Sequence, residues 1–139
     1  MRKILKTTSR LFKMFGRIKI RKADIYFSRF LRLKFKRCEK CGRRGEGKDE
    51  IDKLQCSHFW GRKNESVRYC EKNCDCLCFT CHQNFESNPA EYTEWKLKKL
   101  GKKEYDKLKL SAHLYCKRDD KINEIYWKEK LKKINGTTL

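Results

Sequence analysis

The sequence predicts a small α+β domain that is mostly helical and is stabilised by a bound metal ion. Three observations predict this class: two Cys-x-x-Cys pairs, short strand-forming stretches between them, and segments with helical spacing. The chain of 139 residues is long enough for one compact domain with extensions. Its 38% hydrophobic content and mean hydropathy of −0.95 support only a modest core.

The N-terminal half is expected to contain one helix followed by two short strands. Asp24 can cap a helix on which Phe27 and Leu31 share an apolar face. A loop rich in glycine and charged residues separates this helix from the expected strands, which cover residues 54–59 and 66–69.

The C-terminal half is expected to be helical. One helix should run from Leu77 to Phe85 and carry Cys78, Cys81 and His82 on its first turns. An Asn-Pro-Ala-Glu sequence then provides a cap and a proline at the first position of the next helix. Three further helices are expected: one from Asn88 to Gly101, one from Lys103 to Ala112, and a last one that follows a polar break at 117–120, reaches Ile134 and ends at Gly136.

Positive charge is concentrated near the N-terminus. The net charge is +19, and the first 37 residues contain 14 basic residues and one acidic residue. The remainder contains 23 basic and 17 acidic residues. So strong and uneven a field favours nucleic acid as the partner over a merely soluble basic surface or a membrane surface.

The chain is expected to have three parts: a basic arm at 1–23, a central domain at 24–116 and a C-terminal helix at 117–139. We expect the arm to order on a nucleic-acid backbone, with Arg17, Arg21 and Lys22 among its phosphate contacts. A helix packed on the domain or on a partner is the main alternative, and an organellar transit peptide is another. No apolar run approaches the roughly 18–20 residues of a spanning helix, so no membrane interaction is expected.

The cysteine pattern predicts a zinc site. Nine cysteines, an odd number, without a visible secretory signal favour metal binding over disulfides. Cys38, Cys41, Cys78 and Cys81 form the two Cys-x-x-Cys pairs, and four thiolates satisfy the tetrahedral preference of Zn²⁺. Reduced free cysteines are the alternative interpretation.

The other cysteines are expected to be bystanders. Cys70, Cys74 and Cys76 crowd the second pair and offer alternative ligands or a second ion, but we assign them no metal. Cys56 and Cys116 are expected to be small buried apolar residues.

His58, Asn73 and His82 are interleaved with the cysteine pairs. Taken singly, they fit a core histidine, a turn asparagine and a zinc ligand of a Cys3His site. Taken together, the pattern resembles the HNH or ββα-metal nucleases, and within them the NinG/Rap group of phage recombination proteins. The resemblance covers about 24–113 and rests on the following: the Cys-x-x-Cys at Cys38, Leu54-Gln55-Cys56-Ser57-His58-Phe59, Arg62, Arg68, Asn73, Leu77-Cys78-Phe79-Thr80-Cys81-His82, Asn88-Pro89-Ala90-Glu91-Tyr92 and Leu100-Gly101.

The resemblance implies a two-stranded hairpin and a helix around one catalytic metal ion, braced by a separate zinc. By it, His58 is the general base, Asn73 holds the loop after His58, and His82 ligates Mg²⁺ or Mn²⁺. Arg62 and Arg68 would grip phosphates. The implied function is metal-dependent endonucleolytic cleavage of DNA, preferably branched recombination intermediates, in the cytoplasm of a bacterium infected by the phage that encodes the protein. Cleavage of both strands would favour a homodimer.

One position departs from the family pattern. Ser57 stands where the family often has a metal-ligating Asp, Glu or His, so Asp75 and His113 are the candidates to complete the ligand set. A non-catalytic zinc-finger DNA-binding protein is therefore the alternative, and an RNA-binding zinc protein is a third. We expect His113 to be a surface or packing residue, and Tyr92 and Trp95 to pack in the core.

Overall fold

A two-stranded antiparallel hairpin organises the structure, a computed structural model that describes residues 18–137. Five helices and one 3-10 turn accompany the hairpin in this part of the chain. Along the chain the elements are α1 (Lys22–Phe35), β1 (Leu54–His58), the 3-10 turn (Glu65–Val67), β2 (Cys74–Cys78), α2 (Phe79–Ser87), α3 (Pro89–Leu100), α4 (Lys102–Ala112) and α5 (Asp120–Thr137). The predicted α+β class is confirmed.

The second strand does not lie where the sequence pattern placed it. Strand β1 pairs with β2, with Leu54 opposite Cys78 and His58 opposite Cys74. The segment 66–69 instead belongs to the 3-10 turn and the turn after it. Val67 and Arg68 are consecutive and both buried, so this segment lacks the alternation of a strand with one exposed face.

The end of strand β2 was wrongly predicted to be helical. The reason is that β2 is buried on both faces. All five of its residues are buried, which removes the alternating polar pattern that identifies most strands. The predicted helix at Leu77 consequently begins at Phe79, and Cys78 is the last residue of the strand rather than the first turn of α2.

Helix α1 begins two residues before the predicted cap. The backbone N–H of Arg21 donates to the Asp24 carboxylate at 2.8 Å, so Asp24 acts from the first turn rather than from the cap position. The helix ends at Phe35 and is capped by Lys36, whose φ of 55° is left-handed and whose N–H donates to the Arg32 carbonyl.

The hairpin has helices on both faces. On one face, Phe27 of α1 packs with Cys74 and with Trp127 of α5. On the other, Leu77 packs with Phe85 of α2 and Tyr92 of α3. Tyr92 is buried and stacks on Phe85 with ring centroids 4.4 Å apart, so its predicted core role is confirmed. Both faces of the hairpin are thus covered by helices.

Two predictions concern the ends of the chain. Helix α5 continues to Thr137 rather than ending at Gly136, and it packs against α1. Residues 1–17, including Arg17 of the predicted basic arm, lie outside the described residues. Between residues 18 and 137, no helix combines the length and apolarity needed to cross a membrane.

Candidate functional site

Four cysteines converge where the loop after α1 meets the end of the hairpin. The sulfurs of Cys38, Cys41, Cys78 and Cys81 all lie within 4.8 Å of one another, and the Cys41 and Cys78 sulfurs are 3.8 Å apart. Sulfurs bound at about 2.3 Å to a tetrahedral ion lie about 3.8 Å apart, so the cluster can hold zinc. The predicted convergence of the two Cys-x-x-Cys pairs is confirmed.

Local backbone geometry explains how Cys38 and Cys41 face one point. Gly42 adopts a left-handed φ of 79°, and its N–H donates to the Cys38 carbonyl at 2.9 Å, which closes the turn. The N–H of Glu39 donates to the Cys76 carbonyl, and the Cys76 N–H donates to the Glu39 carboxylate, each at 2.8 Å. The turn is therefore hydrogen-bonded directly to β2.

A buried ion-pair network supports the same region. Asp75 and Lys96 are both fully buried, with the Lys96 Nζ 2.8 Å and 2.9 Å from the two carboxylate oxygens. Lys99 bridges Asp75 at 2.6 Å and Glu39 at 2.7 Å, and the Tyr92 hydroxyl donates to Asp75. Burial lowers the pKa of Lys96, although the Asp75 carboxylate opposes this shift. Asp75 is thus saturated by protein partners and is not among the residues lining the histidine cavity described below.

His58 is the last residue of β1, and its ring is held by a backbone carbonyl. The Nε2–H donates to the Arg68 carbonyl at 2.9 Å, which leaves Nδ1 as the nitrogen with a free lone pair. Burial, and then the charge of Arg62, lowers the pKa of His58 to about 4. The imidazole is therefore neutral at pH 7.

Asn73 fixes the loop that follows His58. It is fully buried, and its side-chain oxygen accepts the Trp60 N–H at 2.9 Å. Its amide group donates to the carbonyls of Trp60 at 2.9 Å and Val67 at 3.1 Å. These bonds match the predicted tethering of the loop, and they hold the segment that presents the Arg68 carbonyl to His58.

Arg68 has a different position from the one predicted. Its side chain is 2% exposed, and its Nε and Nη2 donate to the two oxygens of Asp24 at 2.9 Å and 2.5 Å. Further N–H groups donate to the carbonyls of Arg62 at 3.2 Å and Lys19 at 3.0 Å. A guanidinium so enclosed cannot contact phosphate in this conformation, so Arg68 joins α1 to the loop instead.

The other predicted phosphate contacts differ in accessibility. Arg21 is mostly buried and pairs with Glu65, whereas the Lys22 side chain is 75% exposed. Arg62 lies with its Nε 3.5 Å from Asp24, and this nitrogen makes no hydrogen bond within the described residues. The Arg62 Nε is buried, but 30% of the Arg62 side chain is exposed, so Lys22 and part of Arg62 stay available for an anion. Arg21 would have to exchange its partner.

His58 and His82 line one cavity of about 380 Å³ between β1, α2 and α3. His82 of α2 donates from Nδ1 to the Gln55 side-chain oxygen at 2.5 Å, which leaves its Nε2 lone pair free. That Nε2 lies 3.3 Å from the carboxylate of Glu86, one helical turn later. The sequence reasoning missed Glu86, although its i, i+4 spacing from His82 was visible.

Ser57 and the remaining candidates have other partners. Ser57 is buried and donates to the Tyr92 hydroxyl at 3.0 Å, even though it lines the histidine cavity. His113 is exposed and bonds through Nδ1 to the Lys109 carbonyl, which confirms its predicted surface position. Cys116 is exposed, so the prediction that it is buried is wrong, and Cys56 is half-buried.

Comparison with protein-family models, with characterised proteins and with solved structures yields no match. The functional argument consequently rests on this chain's own residues and their geometry.

Proposed function

We propose that this protein is a metal-dependent endonuclease that hydrolyses phosphodiester bonds in DNA, with the ββα-metal arrangement formed by β1, β2 and α2. The supporting observation is that His58 and His82 line one cavity while Asn73 and the Arg68 carbonyl fix the loop and the ring of His58. A neutral, oriented imidazole that shares a cavity with a potential metal ligand suits hydrolysis of a phosphodiester.

His58 is the proposed general base. Its Nε2–H is held by a carbonyl, so Nδ1 can accept a proton from the attacking water. The low pKa of the free protein makes the imidazole a weak base, but the negative charge of a bound phosphate would raise that pKa towards neutrality.

His82 and Glu86 are the proposed ligands of the catalytic ion. One imidazole and one carboxylate on successive turns of α2 suit an ion that keeps several waters, such as Mg²⁺ or Mn²⁺. The hydrogen bond from His82 to Gln55 orients the ring and directs Nε2 towards this position. When bound, the ion would stabilise charge on the phosphate and on the leaving oxygen. Glu86 would thus supply the metal ligand that Ser57 does not.

The charge of the chain supports DNA as the substrate. A net charge of +19, concentrated near the N-terminus, favours a polyanion, and Lys22 and Arg62 remain accessible. Backbone contacts of this kind register the shape of a nucleic acid without reading its bases. Branched recombination intermediates are the proposed preferred substrates because of the resemblance to the phage recombination proteins.

Cleavage assays test this proposal directly. Protein loaded with one equivalent of zinc is incubated with linear, nicked and four-way DNA in Mg²⁺ or Mn²⁺. We expect cleavage by the wild type, and a loss of about 100-fold or more in His58→Ala, the scale of general-base catalysis. Glu86→Gln should raise the Mg²⁺ concentration needed for half-maximal cleavage.

Matched variants control for charge and folding. His113→Ala removes an exposed histidine, and Glu94→Gln removes an exposed carboxylate from α3; both should cut DNA as the wild type does. Circular dichroism and zinc content must match among the variants. If no DNA is cut, or if His58→Ala cuts at the wild-type rate, the nuclease assignment fails.

A non-catalytic zinc-dependent DNA-binding protein is the second candidate. The observation that favours it is that Ser57, at the position of the usual metal ligand next to the base, is hydrogen-bonded to Tyr92. This candidate predicts salt-sensitive DNA binding by the wild type and His58→Ala alike, with no cleavage in any divalent ion.

A further inference from the structure

A second group of metal-binding side chains lies on the hairpin, apart from the four-cysteine cluster. The sulfurs of Cys56 and Cys74 and one ring nitrogen of His58 all lie within 4.8 Å of one another. In the hairpin register, His58 is directly opposite Cys74, and Cys56 is two residues before His58 on β1. Residues two apart on a strand share a face, so Cys56 and His58 lie on the same face of β1. His58 ends the strand, where its ring approaches Phe27 of α1 and the residue also lines the histidine cavity.

The surroundings of this group differ from those of a hydrophobic core containing cysteines alone. Cys74 is fully buried, and Cys56 packs against the same cluster as Phe27 and Trp127. The His58 ring lies 6.3 Å from the Phe27 ring. Two cysteines can fill apolar space unaided, but an imidazole beside them in this environment needs a polar partner for each nitrogen.

The hydrogen bond of His58 supplies an independent indication of metal binding. A histidine that ligates a metal ion usually donates its other ring N–H to a carbonyl or carboxylate, which fixes the tautomer. The Nε2–H of His58 donates to the Arg68 carbonyl in this way, and Nδ1 is left without a proton. The Arg68 carbonyl is itself held by the loop that Asn73 tethers.

We propose that Cys56, Cys74 and His58 form a second zinc site. Two thiolates and one imidazole are a known zinc donor set, and they leave a fourth position for water. Thiolates select a soft ion over Mg²⁺, so this site would not serve the ion proposed at His82. The three ligand atoms lie within 4.8 Å of one another, close to the roughly 3.5–4 Å spacing of ligands around zinc.

The second site has a consequence for activity that rests on the proposed nuclease function. Zinc on Nδ1 of His58 would occupy the lone pair that the general base requires. Zinc in excess should therefore inhibit cleavage through Cys56 and Cys74, independently of the ion bound by His82 and Glu86.

Zinc stoichiometry tests the site whether or not the protein is a nuclease. Full-length protein is saturated with zinc under a phosphine reductant, desalted, and measured by elemental analysis and native mass spectrometry. We expect two zinc ions per chain for the wild type and one for Cys56→Ser. Cys70 lies outside both clusters, so Cys70→Ser should keep two zinc ions.

Cys74→Ala is the second variant, because alanine is small and apolar enough for that buried position; it should also retain one zinc. A wild type that binds one zinc, or a Cys56→Ser protein that binds two, would overturn the second site. In cleavage assays, Cys56→Ser should need at least tenfold more free zinc for inhibition than the wild type. A protein that binds two zinc ions and cuts no DNA would refute only the nuclease.

Discussion

Replacing Asn73 with alanine tests whether one buried side chain holds the loop between the two strands. In the folded protein, Asn73 accepts one hydrogen bond from Trp60 and donates to the carbonyls of Trp60 and Val67. Asn73→Ala removes all three bonds. The Val67 carbonyl retains the Cys70 N–H as a partner, but the Trp60 N–H and carbonyl keep none among the hydrogen bonds of the described residues.

The expected loss of stability follows from the Trp60 N–H and carbonyl, which the substitution leaves without hydrogen-bond partners. A buried polar group left without a partner costs about 1–3 kcal/mol, and the third, shared bond adds about 0.5–1 kcal/mol. Entry of water beside the half-buried Trp60 would reduce this sum, so we expect Asn73→Ala to lose about 3 kcal/mol in the free energy of unfolding. That is a large part of the roughly 5–15 kcal/mol available to a small domain.

Urea unfolding in the presence of zinc, followed by circular dichroism, measures this loss. Asn64→Ala is the matched control, because it removes one exposed hydrogen bond of 3.3 Å from the same loop. It should cost under about 0.5 kcal/mol. If the two variants lose similar amounts, or if Asn73→Ala loses less than about 1 kcal/mol, Asn73 does not tether the loop.

Two further predictions concern the buried ion pairs. Burial disfavours the Asp24 carboxylate, but hydrogen bonds from Arg68 and Arg21 outweigh it and lower the pKa of Asp24. Because the folded pKa is below the unfolded one, the stabilisation is complete above about pH 4 and is lost as the pH falls further. Asp24→Asn should therefore weaken the acid dependence of the unfolding free energy below pH 4; an unchanged dependence would exclude Asp24 as its source. Lys96→Met should cost about 3 kcal/mol, because Asp75 loses its fully buried partner, and adding Asp75→Asn should restore most of it. If the single variant is as stable as the wild type in urea, the pair does not contribute to stability.

The helices were predictable because their signals are local. A Pro at the first helical position and a Gly after the last residue bound α3 with no reference to the rest of the chain. Strand β2 was not predictable in this way. It reads Cys-Asp-Cys-Leu-Cys, and its charged residue is fully buried because Lys96 arrives from α3, 21 residues later. Tertiary packing brings such a partner into contact, and a short stretch of sequence around the strand gives no sign of it.

The convergence of the four cysteines was predictable from spacing, since two Cys-x-x-Cys pairs are typical of a metal site. The role of arginine was not: Arg62 and Arg68 look equivalent in sequence, yet only Arg68 pairs fully with Asp24. Position explains the difference, because the N–H groups of Arg68 reach the carboxylate and the carbonyls of Arg62 and Lys19 at once, whereas Arg62 only approaches the carboxylate at 3.5 Å. Arg62 consequently stays partly exposed, at 30% of its side chain, whereas Arg68 is enclosed.

The hydrogen bond from His58 to the Arg68 carbonyl links both proposals to the fold. It leaves Nδ1 free, and a free Nδ1 can accept a proton from water or bind zinc with Cys56 and Cys74. Which of these occurs depends on whether zinc or a DNA phosphate reaches the imidazole. Because the carbonyl belongs to the loop that Asn73 holds, Asn73→Ala should weaken both functions together. If Asn73→Ala loses cleavage but keeps two zinc ions, the loop supports His58 as the general base but not as a zinc ligand.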